Sequence, residues 1–128
     1  MTRILVAEDN AVNRELLREL LEQRGYIVTE ACSGQEALQM IERERPDLLL
    51  LDISMPVLDG FATVRKIREN PNLSALPVLA VTAYAMQGDR EKILSSGFDG
   101  YLSKPINSQR LANELDRHLS KSGPRESN

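Results

Sequence analysis

The chain has 128 residues, of which 41% are hydrophobic and 27% are charged, and its formal net charge is -3 at pH 7. This length supports one domain with its own core, and the small negative charge provides no cationic surface, so we expect no direct binding to nucleic acid. The sequence also lacks an apolar run of roughly 18 to 20 residues and the pattern of a signal peptide, so we expect no membrane insertion.

The chain has one cysteine, Cys32, and one histidine, His118. A single cysteine cannot form an internal disulfide and fits a reducing compartment, so we expect a cytoplasmic protein. Because a Cys/His cluster cannot be assembled from these two residues, any bound metal ion must have oxygen ligands.

Short apolar or β-branched runs predict strands, and apolar residues at helical spacing predict a helix after each of them. The predicted strands are 3–7, 26–29, 48–52, 77–81 and 101–103. The predicted helices run from Val12 to Gln23, from Ser33 to near Pro46, from Leu58 to Asn70, from Met86 to Ser96, and through Leu111, Leu115 and Leu119. Two glycines, Gly25 and Gly97, stand where left-handed residues commonly follow a helix.

The third strand is the centre of this pattern. It consists of four consecutive leucines, 48–51, followed by Asp52. A strand that is apolar on both faces is typical of a parallel sheet covered by helices on both sides. Strands that alternate with helices in this way predict an α/β fold, a doubly wound (βα)₅ sheet of the flavodoxin-like type, for which we take the usual strand order 2-1-3-4-5. We expect one domain over residues 1–121 and a flexible tail over 122–128.

Polar side chains follow several of the predicted strands. Glu8 and Asp9 come after the first, Asp52 ends the third, Thr82 ends the fourth and Lys104 follows the fifth. The carboxyl ends of parallel strands form one crevice, where ligands bind in such sheets. Because clustered carboxylates repel one another, we expect a hard divalent cation such as Mg²⁺ between them. Such a site favours phosphoryl transfer with Asp52 as the nucleophile.

These residues resemble a known family. The pattern comprises Glu8-Asp9, Asp52 with Met55-Pro56 and Asp59-Gly60, Thr82-Ala83, and Lys104-Pro105. In this order it resembles the receiver domain of bacterial two-component response regulators, over about residues 3 to 120. The segments 81–86 and 101–106 are most similar to single-domain regulators of the cell-cycle or chemotaxis type. The resemblance implies a signalling protein and not an enzyme with an external substrate.

The resemblance implies roles for the acidic residues. Asp52 would accept a phosphoryl group from a sensor histidine kinase or a histidine phosphotransfer protein. Asp9, Asp52 and the backbone carbonyl of Ser54 would bind Mg²⁺ or Mn²⁺ directly, and Glu8 would act through a water molecule. Many receivers have aspartate at the position of Glu8.

The resemblance also implies a switch. Lys104 would bridge phosphoryl oxygens, and the Lys104–Pro105 peptide bond would be cis. Thr82 and Tyr101 would reorient after phosphorylation and change the face built from the fourth helix, fifth strand and fifth helix. An unidentified downstream protein would bind that face.

Other functions remain open at this point. A phosphatase of the haloacid dehalogenase type needs an acid two residues after the nucleophile, where this chain has Ser54. An inactive binding scaffold would not need Asp9, Thr82 and Lys104, and flavin binding usually uses aromatic-rich loops. His118 is a weak candidate for a phosphate carrier. Met1 close to the first strand and the polar tail favour a free-standing protein over part of a hybrid kinase.

Overall fold

The structure, a computed structural model, describes residues 2–55, 59–83 and 87–122. Strands and helices alternate along these residues, as predicted. In chain order they are β1 (Arg3–Ala7), α1 (Ala11–Glu22), β2 (Ile27–Ala31), α2 (Gly34–Arg43), β3 (Leu48–Asp52), α3 (Gly60–Glu69), β4 (Val78–Thr82), α4 (Gln87–Ser95), β5 (Gly100–Ser103) and α5 (Ser108–Ser122). Pro56, Leu58 and Met86, and residues 123–128 of the predicted tail, lie outside the described residues.

The strands form one parallel sheet with the order β2-β1-β3-β4-β5. This confirms the predicted order, and it makes β1 and β3 neighbours although α1, β2 and α2 separate them in the chain. All residues of β3 are buried, including Asp52. The leucine-rich strand is therefore central, and its carboxyl end opens between the ends of β1 and β4.

Helices cover both faces of the sheet, and β3 shows how its side chains divide between them. Leu48 and Leu50 pack in a core cluster with residues of α1 and α5, whereas Leu49 and Leu51 pack in a second cluster with residues of α2, α3 and α4. Successive side chains of a strand point to opposite faces, and each leucine buried in this way stabilises the fold by roughly 1.5 to 3 kcal/mol. None of the helices within the described ranges is long and apolar enough to cross a membrane.

Three helices, α1, α2 and α3, begin after residues whose side chains cap them. Asn10, Ser33 and Asp59 each cap a helix by accepting a hydrogen bond from a backbone N–H of the first turn. Ser33 and Glu36 form only part of a capping box, because Glu36 Oε1 accepts from the N–H of Cys32 at 2.6 Å and not from that of Ser33. The caps fix where the chain turns from strand to helix.

Glycines mark the other ends of two helices. Gly25, after α1, has φ 89°, and Gly97, after α4, has φ 117°. Both lie in the left-handed region, as predicted, where residues with a side chain are disfavoured.

Candidate functional site

The strand ends bring the predicted site residues together. Glu8 and Asp9 directly follow β1, Asp52 ends β3, Thr82 ends β4 and Lys104 follows β5. The backbone ties these ends to one another, because Ile53 N–H donates to Val81 O at 3.1 Å and Lys104 N–H donates to Thr82 O at 2.8 Å. The predicted crevice is therefore present and has a hydrogen-bonded backbone.

Lys104 lies between two buried carboxylates. Its Nζ is 3.1 Å from Asp52 Oδ2 and 3.3 Å from Glu8 Oε1. Asp52 is 3% exposed and Glu8 is 1% exposed. The other oxygen of each carboxylate accepts a backbone N–H, from Ser54 to Asp52 Oδ1 and from Asn10 to Glu8 Oε2. Each carboxylate is therefore oriented by its own loop as well as by the lysine.

The carboxylates and the lysine perturb one another. Burial raises the pKa of Glu8 to about 7, and interaction with Asp52 adds to the increase. Burial alone would lower the pKa of Lys104, but its hydrogen bond and charge attraction to Asp52, together with the charge of Glu8, raise that pKa overall. Two carboxylates thus share one cation at this edge of the sheet, and the pocket holds an excess of negative charge.

The pocket fits a divalent cation. Glu8, Asp9 and Asp52 offer carboxylate oxygens that lie within 4.8 Å of one another. Glu8 Oε1 is buried and, within the described part of the chain, accepts no hydrogen bond, although Lys104 Nζ is near it. A buried oxygen without a hydrogen bond beside two further carboxylates is the donor set that Mg²⁺ or Mn²⁺ accepts.

The predicted switch residues lie on adjacent strands. In the β4–β5 register, Thr82 pairs with Ser103 and Ala80 pairs with Tyr101. Side chains two apart on a strand share a face, so Thr82 and Tyr101 lie on the same face of the sheet, the one covered by α2, α3 and α4. Thr82 is buried, and Tyr101 is half-buried with the Arg90 guanidinium 5.6 Å from its ring centre.

The structure identifies a close approach that the sequence prediction missed. A Cβ atom added to Gly60 would lie 2.7 Å from Ile53 Cα and 3.1 Å from the carbonyl oxygen of Asp52. The N–H of Gly60 donates to Ile53 O at 3.0 Å. The start of α3 is therefore packed directly against the backbone of Asp52 and Ile53. The Asp-Gly pair was a usable signal, because aspartate is a favoured N-cap and glycine tolerates close backbone contact.

Two residues with reactive side chains lie away from this crevice. His118 is buried, with Nε2 3.3 Å from Glu114 Oε1. It packs near Gly100, the first residue of β5, because a Cβ atom added to that glycine would lie 3.0 Å from Nε2. Gly100 is at the amino end of β5, whereas Lys104 follows the carboxyl end of the same strand. Cys32 is free and exposed after β2. Neither residue belongs to the site, whereas the Lys104–Pro105 bond beside it is cis, as predicted.

The chain matches the family model described as "Response regulator receiver domain" over residues 4–116. A curated relative, the polar-differentiation response regulator DivK of Brucella anthropi, is 38% identical over 116 residues, which cover 91% of this chain and 94% of the relative. The family match includes all five strands apart from Arg3, and it includes every candidate site residue.

Solved structures agree with this match. The receiver domain of the sensor histidine kinase PA1611 from Pseudomonas aeruginosa, with a magnesium ion coordinated in its active-site cleft, is 40% identical with a TM-score of 0.86, and the similarity covers 93% of this chain and 98% of that one. A putative response regulator from Chloroflexus aurantiacus is 32% identical with a TM-score of 0.89, and the similarity covers 93% of this chain and 98% of that one. The fold is thus shared with a putative response regulator and with the receiver domain of a sensor histidine kinase.

The charge balance of the pocket predicts the effect of removing the lysine. Lys104→Met should lower the free energy of unfolding by on the order of 3 kcal/mol, because Glu8 and Asp52 would stay buried without a cation. We place the effect at the low end for a broken buried pair because the Lys104 side chain is 25% exposed. Urea unfolding at pH 7 without divalent ions measures it. Lys66→Met, on the exposed side of α3, is the matched control and should change stability little; equal effects of the two substitutions would contradict this prediction.

Proposed function

The chain belongs to the response regulator receiver domain family, and from this membership we propose that it accepts a phosphoryl group on Asp52 and signals through the change that follows. The observation that carries the proposal is the arrangement of Asp52, a buried carboxylate at the end of the central strand whose Oδ2 is held by Lys104. No other carboxylate among residues 2–55, 59–83 and 87–122 combines this position with a bound lysine and two acidic neighbours.

The proposed donor is a phosphohistidine on a sensor histidine kinase or a histidine phosphotransfer protein. An Asp52 carboxylate oxygen attacks the phosphorus, a P–O bond forms, and the P–N bond to the imidazole breaks with its electron pair returning to the ring nitrogen. Lys104 then exchanges its contact with the carboxylate for a contact with a phosphoryl oxygen. The Thr82 hydroxyl, at the end of the neighbouring strand, donates to another. Lys104 and Thr82 stabilise the negative charge on the phosphoryl oxygens during transfer.

Mg²⁺ or Mn²⁺ is the proposed cofactor. The carboxylates of Asp9 and Asp52 and the backbone carbonyl of Ser54 would hold it, with Glu8 acting through a water molecule. When bound, the cation neutralises the carboxylates and the incoming phosphoryl oxygens. The crowding of buried carboxylates and the oxygen of Glu8 without a hydrogen bond support this assignment. So does the magnesium ion in the cleft of the PA1611 receiver, a similar protein.

The proposed output surface is the α4–β5–α5 face. Movement of Thr82 toward the phosphoryl group would vacate space on the sheet face that it shares with Tyr101, and the tyrosine ring could then turn inward. Charge-assisted hydrogen bonds of roughly 1.5 to 3 kcal/mol each are enough to shift two states that differ by a few kcal/mol. A cavity of about 310 Å³ on this face is lined by Tyr101 and by Arg110 and Arg117 of α5. A downstream protein would bind there.

This role is that of a signalling protein that promotes its own phosphorylation and dephosphorylation and does not act as an enzyme on other substrates. A phosphatase of the haloacid dehalogenase type is disfavoured because Ser54 occupies the position of its second acid. The exposed Cys32 fits a reducing compartment, and we place the proposed phosphorelay in the cytoplasm.

Labelling with a small-molecule phosphodonor tests the acceptor. Acetyl phosphate should label the wild-type protein in the presence of Mg²⁺, should not label it after chelation, and should not label Asp52→Asn. Phosphate-affinity gels measure the labelled fraction. Asp59→Asn is the matched control, because Asp59 Oδ1 caps α3 by accepting from Ala62 N–H and an asparagine oxygen can do the same. The control should be labelled like the wild type; labelling of Asp52→Asn at the wild-type level would refute the acceptor assignment.

Amide NMR shifts test the switch. A beryllofluoride mimic of the phosphoryl group should shift amides around Asp52, at Tyr101 and along α5 in the wild type. Thr82→Ser keeps the hydroxyl and should give the same pattern, whereas Thr82→Ala should confine the shifts to the neighbourhood of Asp52. The proposed coupling is wrong if wild-type shifts stay local, or if Thr82→Ala transmits them to Tyr101 and α5 equally well.

A further inference from the structure

Arg14, in the first turns of α1, makes contacts that connect two parts of the molecule. Its Nη1 donates to the backbone carbonyl oxygen of Glu8 at 2.8 Å, and its Nε donates to Glu30 Oε1 at 3.1 Å. The Arg14 side chain is 18% exposed and that of Glu30 is 30% exposed. A partly buried guanidinium thus links a carboxylate on β2 to the backbone between two of the acidic residues of the crevice.

β2 holds the Glu8–Asn10 loop at two points. The N–H of Glu8 donates to Ala31 O at 3.0 Å, which is a direct contact with β2. Its carbonyl oxygen is held by Arg14, which is in turn held by Glu30, the residue before Ala31. The Glu8 side chain is fixed separately by the N–H of Asn10. Both polar groups of the Glu8 backbone are therefore bound.

The carbonyl contact controls more than Glu8. The peptide group that joins Glu8 to Asp9 is planar, so the direction of the Glu8 carbonyl fixes the direction in which the Asp9 Cα leaves it. From these contacts we infer that Arg14 is a positioning residue for the cation site, acting through the Glu8–Asp9 peptide; this inference rests on the proposed binding of a divalent cation by Asp9 and Asp52. Groups that orient metal ligands commonly change metal affinity by about 10- to 100-fold when they are removed.

Glu30 contributes a second effect. The guanidinium of Arg14 contacts the backbone of the site, and its positive charge would by itself oppose the binding of a cation there. The carboxylate of Glu30, in contact with Arg14, offsets that charge. Arginine suits this position because its rigid fork donates to two acceptors at once, which the single ammonium of lysine does less well.

Arg18, one turn further along α1, provides a matched control. Its Nη1 donates to Glu30 Oε2 at 2.9 Å, so it binds the same carboxylate as Arg14, and it also lies 4.0 Å from Glu22. No contact of Arg18 with the Glu8–Asn10 loop is present in the described residues. Replacing Arg18 therefore disturbs Glu30 and the surface of α1 without releasing the Glu8 carbonyl.

The experiment compares Arg14→Ala, Arg14→Lys and Arg18→Ala with the wild type. Isothermal titration calorimetry measures Mg²⁺ affinity, amide NMR measures the Asp9 and Asn10 shifts in metal-free protein, and urea unfolding measures stability. We expect Arg14→Ala to weaken Mg²⁺ binding about 10-fold and to move both amides, Arg14→Lys to have an intermediate effect, and Arg18→Ala to change affinity less than about twofold. Stability should fall more in Arg14→Ala than in Arg18→Ala, because only Arg14 also binds the Glu8 carbonyl.

The inference would be overturned if Arg14→Ala bound Mg²⁺ with the affinity of the wild type and left the Asp9 and Asn10 amide shifts unchanged. It would also be overturned if Arg18→Ala changed affinity and amide shifts as much as Arg14→Ala does. The outcome is separable from the proposed function. If the wild type itself binds no Mg²⁺, the proposed cation site fails, and the metal-free amide shifts alone decide whether Arg14 positions the loop.

Discussion

The carboxylates of Glu8 and Asp52 are almost fully buried, and the ammonium of Lys104 lies within 3.3 Å of both. Burying a carboxylate costs several kcal/mol, and a single partly exposed lysine offsets only part of that cost for two of them. The fold keeps this arrangement because the strands on which it depends are held by a large apolar core on both faces of the sheet. The proposed binding of a cation and a phosphoryl group depends on the negative charge that remains.

In the proposed function, the parallel topology connects a local charge at Asp52 to a more distant surface. Because β1, β3, β4 and β5 all end at the same edge, groups that are far apart in the chain meet there without any long loop. The β4–β5 register then carries the effect away from the edge, since Thr82 shares a sheet face with Tyr101 on the next strand. The proposed switch therefore links Asp52 to a surface outside the crevice through one pair of side chains on neighbouring strands.

The sequence alone was sufficient for much of this account. The leucine run identified the central strand, and the polar residues after successive strands identified the crevice, because alternation and strand ends are local properties of the chain. The strand order came from the usual topology of such folds. The contacts of Arg14 with Glu8 and the close approach of Gly60 to Ile53 were missed, since they depend on how helices settle against loops. The burial of His118 against Gly100 was missed for the same reason, since it depends on how α5 packs against β5.

Anomalous diffraction from crystals soaked in Mn²⁺ tests the central claim, that the excess negative charge of the crevice forms a cation site, most directly. The account predicts one strong anomalous peak at about 2.1 Å from carboxylate oxygens of Asp9 and Asp52 and from the carbonyl oxygen of Ser54, the distance usual for such small divalent cations. A crevice without a peak, with Lys104 still between Glu8 and Asp52, would contradict it.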